Sequence, residues 1–542
     1  MLGSQKNKKV GQLLVIGFSG KIVPDNVKML IHDYHIGGII LFSRNIGTPN
    51  EVLDLTTSLQ REAKEAGYIY PLLICIDQEN GVVRRLGKGT STFPGAMALG
   101  ATNDPENAYI VGFVTGKELK SLGINWNIAP VLDVNNNPDN PVIGVRSYGD
   151  SSEKVAEFGR AAMRGMQAAG IVTSLKHFPG HGDSSIDSHL ELPIISHDMR
   201  RLEEVELRPF IECINDGADT VMVAHVYFPA IEDKKGVPAT LSEKVINGLL
   251  REKIGFDGVV TTDCMEMKAI SETIGTEKGA VAALKAGIDL VMISHSHDVQ
   301  IGAIKEIQCA LNSGEIEETL VDQSIQRITV LKEKYLSWDS ISLKNKKHVP
   351  EIVGSDEYKE LAFEIFKKSV TIVKDDGILP LATDNKSRVL VINPINNQVY
   401  GAEDKSDSKT SLGEAVKEYN PSADVYQISN TVNLDEIEII INKAIQYDIV
   451  IIGTLSVKEG SHQIDLIESI LKSGTTLIVV AMRNPYDLRY LPNVPVYIAT
   501  YEFTYLAMKA AAGAIFGKEI VKGQLPVTIA ETNHTFKEVR DT

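Results

Sequence analysis

Eight short apolar runs, separated by amphipathic stretches, punctuate the first 335 or so residues, and several stop at an ionisable side chain. They lie at Leu13–Phe18, Gly38–Phe42, Leu72–Asp77, Ile124–Leu132, Val172–His177, Thr220–His225, Gly258–Asp263 and Leu290–Ser294. Unbroken apolar runs are how parallel strands covered on both faces read in sequence. The intervening segments carry helical periodicity, as at Glu153–Ala169 and Glu243–Lys253. Eight βα units in one array predict a closed (β/α)₈ barrel.

The residues that end these runs give that prediction a functional edge. The third run stops at Asp77, the fifth at Lys176-His177, the sixth at His225 and the seventh at Asp263. Val131-Leu132-Asp133 leads into a loop that carries Arg146. Barrel active sites are built from strand C-termini, so residues scattered over the sequence are expected to converge on one mouth.

The pattern breaks near Trp338–Pro350, where polar, lysine-containing sequence predicts a linker. A second α/β series follows, with strand candidates at Val389–Ile392, Ala423–Gln427, Asp448–Gly453, Thr476–Ala481, Val496–Ala499 and Leu525–Ile529. The predicted architecture is a barrel over 1–340, a linker over 341–356 and an α/β/α sandwich over 357–542. The second region gathers few ionisable groups, and Gly453-Thr454-Leu455-Ser456 is too weak a pattern for a phosphate loop.

A chain of 542 residues has length for two or three such units. Its formal net charge of -16 argues against nucleic acid or an anionic membrane as the main partner. Cys75, Cys213, Cys264 and Cys309 are scattered without CxxC spacing, which indicates neither a zinc knuckle nor a disulfide framework. Reduced thiols suit a cytoplasmic location. Lys6, Lys8 and Lys9 precede the first apolar run as in a signal peptide, but that run is short and lacks a clean cleavage site, so it reads as a strand. No stretch approaches the roughly 20 apolar residues of a membrane span.

The densest chemistry lies in Lys176-His177-Phe178-Pro179-Gly180-His181-Gly182-Asp183-Ser184-Ser185-Ile186-Asp187-Ser188-His189. Three histidines, one lysine and two aspartates share fourteen residues, and the Pro-Gly and His-Gly steps force a shaped loop. Within it, Asp187 and His189 can form a unit in which the carboxylate orients the imidazole for proton transfer, or Asp187 can merely stabilise a turn. Asp263, closing an apolar strand, is placed either as a nucleophile or as the cap of the following helix. Asp77 suits hydrogen bonding to vicinal hydroxyls, and Arg84-Arg85 suit substrate oxygens or a solvated face. His177 and His181 are four apart, but Pro179-Gly180 between them prevents a helical metal-binding face.

These residues together resemble family 3 glycoside hydrolases, specifically the β-N-acetylglucosaminidase branch. The resemblance runs through Val10-Gly11-Gln12-Leu13-Leu14, Ile76-Asp77-Gln78-Glu79, Thr92–Gly100, Ile128–Val134, Arg146-Ser147-Tyr148-Gly149, the 176–189 loop, Val237–Ser242 and the Asp263 segment. Asn484-Pro485-Tyr486 and Gly523–Thr528 resemble the family's C-terminal sandwich domain. It implies Asp263 as the nucleophile that forms a covalent glycosyl-enzyme, and His189 as acid/base supported by Asp187. Asp77, Arg85, Arg146, Lys176 and His177 are implied as ligands of the sugar hydroxyls and acetamido group, with no metal and no cofactor. Asn80 departs from the usual Glu-Gly-Gly, and Cys264-Met265 from the usual Asp-Leu after the nucleophile. His225 and Asp133 are expected to line or brace the pocket.

The implied activity is retaining exo-cleavage of terminal N-acetylglucosamine from peptidoglycan or chitin fragments, as in peptidoglycan recycling. A histidine acid/base repels an anionic acceptor less than a carboxylate would, which leaves phosphorolysis as an alternative. A metal-dependent barrel hydrolase and an inactive sugar-binding protein are the more distant ones. All catalytic groups are expected before the linker, with the second region supporting the barrel or shaping the pocket edge.

Overall fold

The computed structural model describes residues 2–188, 190–343, 348–381, 387–396, 403, 411–429 and 431–529. Eight parallel strands close a barrel: β1 Leu14–Ile16, β2 Gly38–Leu41, β3 Leu73–Ile76, then, after a hairpin of β4 Gln78–Asn80 and β5 Val83–Arg84, β6 Trp126–Asn127, β7 Val172–Phe178, β8 Thr220–Val223, β9 Val259–Cys264 and β10 Leu290–Ile293. Neighbours around the barrel follow chain order, and β1 closes on β10 with Leu14 beside Val291 and Ile16 beside Ile293. Nearly every strand residue is buried, as the unbroken apolar runs require.

The expected strand at Ile124–Leu132 shrinks to two ladder residues. Pro130 has no N–H to donate, so pairing lapses and resumes only as an isolated bridge between Val131 and Lys176. At the barrel base, aspartates act as fasteners. Asp289 accepts from Arg251 Nη2 at 2.6 Å, Val260 N at 2.8 Å, Ser324 Oγ at 2.8 Å and Arg327 Nη1 at 3.0 Å. Asp219 does the same with Lys334 Nζ and Tyr335 Oη, each at 2.7 Å.

The second sheet contains β11 Thr371–Asp375, β12 Val389–Ile395, β13 Asp424–Ser429, β14 Ile449–Thr454, β15 Thr476–Ala481 and β16 Val496–Ala499, in the order β11-β16-β15-β14-β12-β13. Helices Leu412–Tyr419 and Tyr505–Ile515 pack on one face, Leu434–Ala444 and His462–Lys472 on the other. This is the three-layer sandwich, with one correction. The sixth strand is β11, antiparallel to β16, and Leu525–Ile529 is not a strand. The backbone of that last segment bonds to the barrel instead: Gln524 N donates to Ala101 O at 2.8 Å and Asp150 N to Pro526 O at 3.2 Å.

The two sheets share buried surface. Met97, Ala98, Ala101 and Val145 of the barrel's loops belong to the apolar cluster formed by Leu390, Ile452 and Tyr501. Gly95 N donates to Glu502 Oε1 at 2.9 Å, and Asn135 Nδ2 to Tyr486 Oη at 2.9 Å. Gly95 lies so near the β4–β5 turn that a Cβ on it would stand 2.8 Å from Gly81 Cα.

Candidate active site

A cavity of about 750 Å³ opens at the strand C-termini. Asp77, Arg85, Arg146, Lys176, His177 and Asp263 all line it, together with Ile40, Phe42, Ser43, Arg44, Glu79, Val83, Val142, His181, Ser188, Met222, Cys264, Met267, His295 and Glu403. A second cavity of about 880 Å³ lies outside the barrel, among Lys278, Lys285, Glu306 and Cys309. Among the described residues no histidine lines it.

The floor is a network of opposite charges. Lys176 Nζ lies 2.7 Å from Asp77 Oδ1 and 2.5 Å from Glu79 Oε1. Arg146 grips Glu79 with two parallel bonds, Nε to Oε2 at 2.9 Å and Nη2 to Oε1 at 2.8 Å. Arg85 Nη2 stands 3.7 Å from Asp77 Oδ2. Burial alone would push the Glu79 carboxyl up, but Arg146 and Lys176 outweigh it and hold Glu79 well below the usual carboxylate range. Glu79 thereby fixes both cations while Asp77 faces the cavity beside them.

Lys176 and His177 are sequence neighbours yet both line the cavity, although strand side chains ordinarily alternate. The β7–β8 register shifts between Leu175 and Phe178, and the Lys176–His177 peptide bond is cis. His177 Nδ1 is 2.7 Å from Asp133 Oδ2. With that nitrogen donating, Nε2 remains as an acceptor toward Arg146 Nη2, at 3.5 Å, and the cavity.

Asp133 and His225 stand behind the wall as braces. Burial favours the neutral form of Asp133, but His177 and the backbone N–H of His181, 2.7 Å from Oδ1, bring its carboxyl below the ordinary value. His225 Nε2 lies 3.0 Å from the Cys264 carbonyl oxygen, immediately after Asp263, and steadies the end of β9.

His181 takes up a role the sequence did not suggest. Its ring spans the loop, with Nδ1 2.7 Å from Ser184 Oγ and Nε2 3.0 Å from Ser188 Oγ. Burial drives this imidazole down to about 4, so it is neutral at pH 7. A neutral ring between two hydroxyls ties Ser188 to the cavity wall. Asp187, half-buried next to it, accepts from Leu190 N at 2.9 Å through its backbone carbonyl. His189 lies outside the described residues.

The carboxylates Glu79, Glu266 and Asp263, at or beside the mouth, differ in their partners. Glu79 is taken by Arg146 and Lys176. Glu266 caps the helix His297–Ser313, accepting from His295 N at 2.6 Å and Ser296 N at 3.0 Å. Asp263 sits on rigid β9 and lines the cavity, its Oδ1 accepting from Cys264 N at 2.6 Å.

The departures in sequence are absorbed locally. Asn80 adopts φ 69°, in the left-handed region that asparagine tolerates, and donates to Thr115 Oγ1 at 3.1 Å. Met265 is fully buried in the barrel core, and Cys264 contributes to the cavity wall. Among the described residues, no group of three or more His, Cys, Asp or Glu is arranged to hold a metal ion.

Residues 6–331 match the glycosyl hydrolase family 3 N-terminal domain and residues 370–541 its C-terminal domain. β-Hexosaminidase A of Pseudoalteromonas piscicida is 35% identical over 72% of this chain and 68% of its own length. A β-N-acetylglucosaminidase/β-glucosidase of Cellulomonas fimi is 25% identical over 96% of this chain and 93% of its own. The solved structure of a family 3 β-N-acetylglucosaminidase from Paenibacillus sp. str. FPU-7 superposes with a TM-score of 0.90 at 41% identity, covering 96% of this chain and 98% of that one. The chain belongs to glycosyl hydrolase family 3.

Proposed function

We propose that the protein is a retaining exo-β-N-acetylglucosaminidase that releases terminal N-acetylglucosamine from oligosaccharides of peptidoglycan or chitin origin. The observation that carries this reading is Asp263, lining a cavity whose floor pairs Asp77 and Glu79 with Lys176 and Arg146. In this reading a pyranose sets its polar groups against Asp77, Arg85, Arg146, Lys176 and His177, with its anomeric carbon facing the Asp263 carboxylate. Asp263 attacks that carbon, the glycosidic C–O bond breaks, and His189, oriented by Asp187, protonates the leaving oxygen. Water then attacks the glycosyl-aspartate, with His189 accepting its proton and Asp263 regenerated. The acetamido group serves recognition, because the nucleophile comes from the protein. In this reading the barrel, 1–340, supplies the catalytic groups, and 341–356 joins it to a supporting domain over 357–542.

Among the described residues no helix is long and apolar enough to cross a membrane. Cys75, Cys213 and Cys264 are buried free thiols and Cys309 an exposed one, which supports a cytoplasmic site of action. Cell fractionation tests that location.

The deciding experiment is cleavage of an aryl β-N-acetylglucosaminide and the matching β-glucoside, with and without phosphate, with the product identified. The expected result is free N-acetylglucosamine in both buffers and at least ~10²-fold lower efficiency on the glucoside. Comparable efficiency on both sugars would overturn the substrate assignment, and N-acetylglucosamine 1-phosphate as product would establish phosphorolysis instead.

A further inference from the structure

Of the described residues that line the mouth cavity, Glu403 alone comes from the second domain. It lies in the chain between β12 and the helix Leu412–Tyr419. The floor is made by the barrel's own strand ends, where the Lys176 side chain is 2% and that of Arg146 4% exposed. Glu403 instead reaches the cavity from outside the barrel, on the second domain. In an exo-acting site the terminal sugar occupies the floor, so the entrance holds the leaving group.

Glu403 is built into its position. Its carboxylate pairs with Arg483, which follows β15, and only 5% of the Glu403 side chain and 12% of the Arg483 side chain are exposed. Arg483 Nη1 in turn donates to Ser456 Oγ at 3.0 Å, just beyond β14. Chain order reverses between β12 and β14, since β13 lies beyond one and β15 beyond the other. That reversal creates the crevice where open parallel sheets ordinarily receive ligands. Here the crevice and the barrel mouth meet at Glu403.

A carboxylate held by one guanidinium keeps further acceptor sites for hydroxyl donors. It also opposes a second carboxylate brought close to it. We propose that Glu403, positioned by Arg483, forms a leaving-group subsite that accepts from the hydroxyls of a neutral sugar and disfavours a leaving sugar that carries a carboxylate. The inference rests on the exo-glycosidase reading above. It points to N-acetylglucosamine oligomers, rather than carboxylate-bearing muramyl saccharides, as preferred substrates.

The test uses the full-length enzyme and its Glu403→Ala and Glu403→Gln variants. The substrates are an aryl β-N-acetylglucosaminide, N,N'-diacetylchitobiose and the β-1,4-linked disaccharide of N-acetylglucosamine with N-acetylmuramic acid. In Glu403→Ala, kcat/KM on diacetylchitobiose is expected to fall about tenfold or more, mainly through KM, since a hydrogen bond to a charged group is lost. Aryl-glycoside efficiency falls by a clearly smaller factor, because that substrate has no leaving sugar. Glu403→Gln retains a hydrogen bond to Arg483, so it decides the matter should the alanine variant unfold. Its efficiency on the muramyl disaccharide relative to diacetylchitobiose is expected to rise about tenfold, as like-charge repulsion is removed. Unchanged cleavage of both disaccharides in both variants, or equal losses on aryl and disaccharide substrates, would overturn the subsite. Failure of the wild-type enzyme on the aryl substrate would instead sink the exo-glycosidase reading, and the subsite with it.

Discussion

The barrel and the sandwich both present the C-termini of parallel strands, yet only the barrel assembles a dense cluster of ionisable groups there among the described residues. Closure makes the difference. Around a barrel, the ends of β3, β7 and β9 point toward one axis, so Asp77, Lys176, His177 and Asp263 meet in one cavity. In the open sheet, β12, β14 and β15 end side by side, and their polar residues spread along an edge. The sandwich still buries a carboxyl group there: Asp487 is wholly buried and accepts from Val457 N at 2.8 Å. Buried charge marks catalysis only where topology converges it on a cavity.

The sharpest way to break this contrast is to remove one carboxylate from each side. Asp263→Asn is expected to lower turnover by about 10⁴- to 10⁶-fold with the thermal unfolding midpoint preserved. Asp487→Asn is expected to leave turnover within about twofold, since Asp487 does not line the cavity. A mechanism-based fluoro-sugar should label Asp263; labelling at Glu79 or Glu266, or an inactive Asp487→Asn, would erase the distinction.

A smaller effect is expected at the acid/base. His189→Ala should cost about 10²- to 10⁴-fold on natural glycosides, and far less on aryl glycosides whose leaving oxygen needs little protonation. Asp187→Ala should follow the same trend more mildly. Equal losses on both substrate types would remove His189 from the role. Single replacement of the other Asp and Glu residues of 345–542 should leave the proton-transfer step intact. One that abolished it while His189 proved dispensable would move the acid into the sandwich.

The smallest effect is a pair of opposed pH slopes. Burial holds the His181 imidazole down at about 4 against 6.5 when unfolded, so the unfolded chain binds more protons between those values. The contribution of His181 is therefore present above pH 6.5 and lost as pH falls toward 4. Burial pushes the Asp487 carboxyl the other way, from 3.8 up to about 7, so its contribution is present below pH 3.8 and lost as pH rises through 7. Unfolding midpoints at about pH 4.5 and about pH 7 should separate the two. Asp487→Asn should gain and His181→Gln should lose relative stability near neutral pH, by about 2–4 °C or more. Slopes of the same sign in both variants would contradict these assignments.

Much of the barrel is legible because each strand is buried on both faces and writes an unbroken apolar run. Legibility fails where hydrogen bonding overrules hydrophobicity. Pro130 cuts short a run that otherwise reads as a strand, and Gln524–Thr528 gives its backbone bonds to the barrel instead of a sheet. The half-exposed edge strand Thr371–Asp375 carries too little apolar pattern to stand out. In the site, strand-end residues were visible because a charge abruptly follows an apolar run. Phe42 and Arg44, which close β2 in the same way, were within reach of that rule. Glu79 and Glu403 were not, since one acts through two cations distant in sequence and the other arrives from a different domain.

The helix Ala96–Ala101 belongs to the barrel by chain order and to the sandwich by burial, with Met97, Ala98 and Ala101 inside the second core. A cut between the two family domains, after residue 331 and before residue 370, would therefore not separate two finished objects. It would leave an apolar scar on the barrel beside the loop that carries Glu79, and a socket in the sandwich where that helix had been. The boundary drawn along the chain therefore does not coincide with the boundary drawn through the packed core.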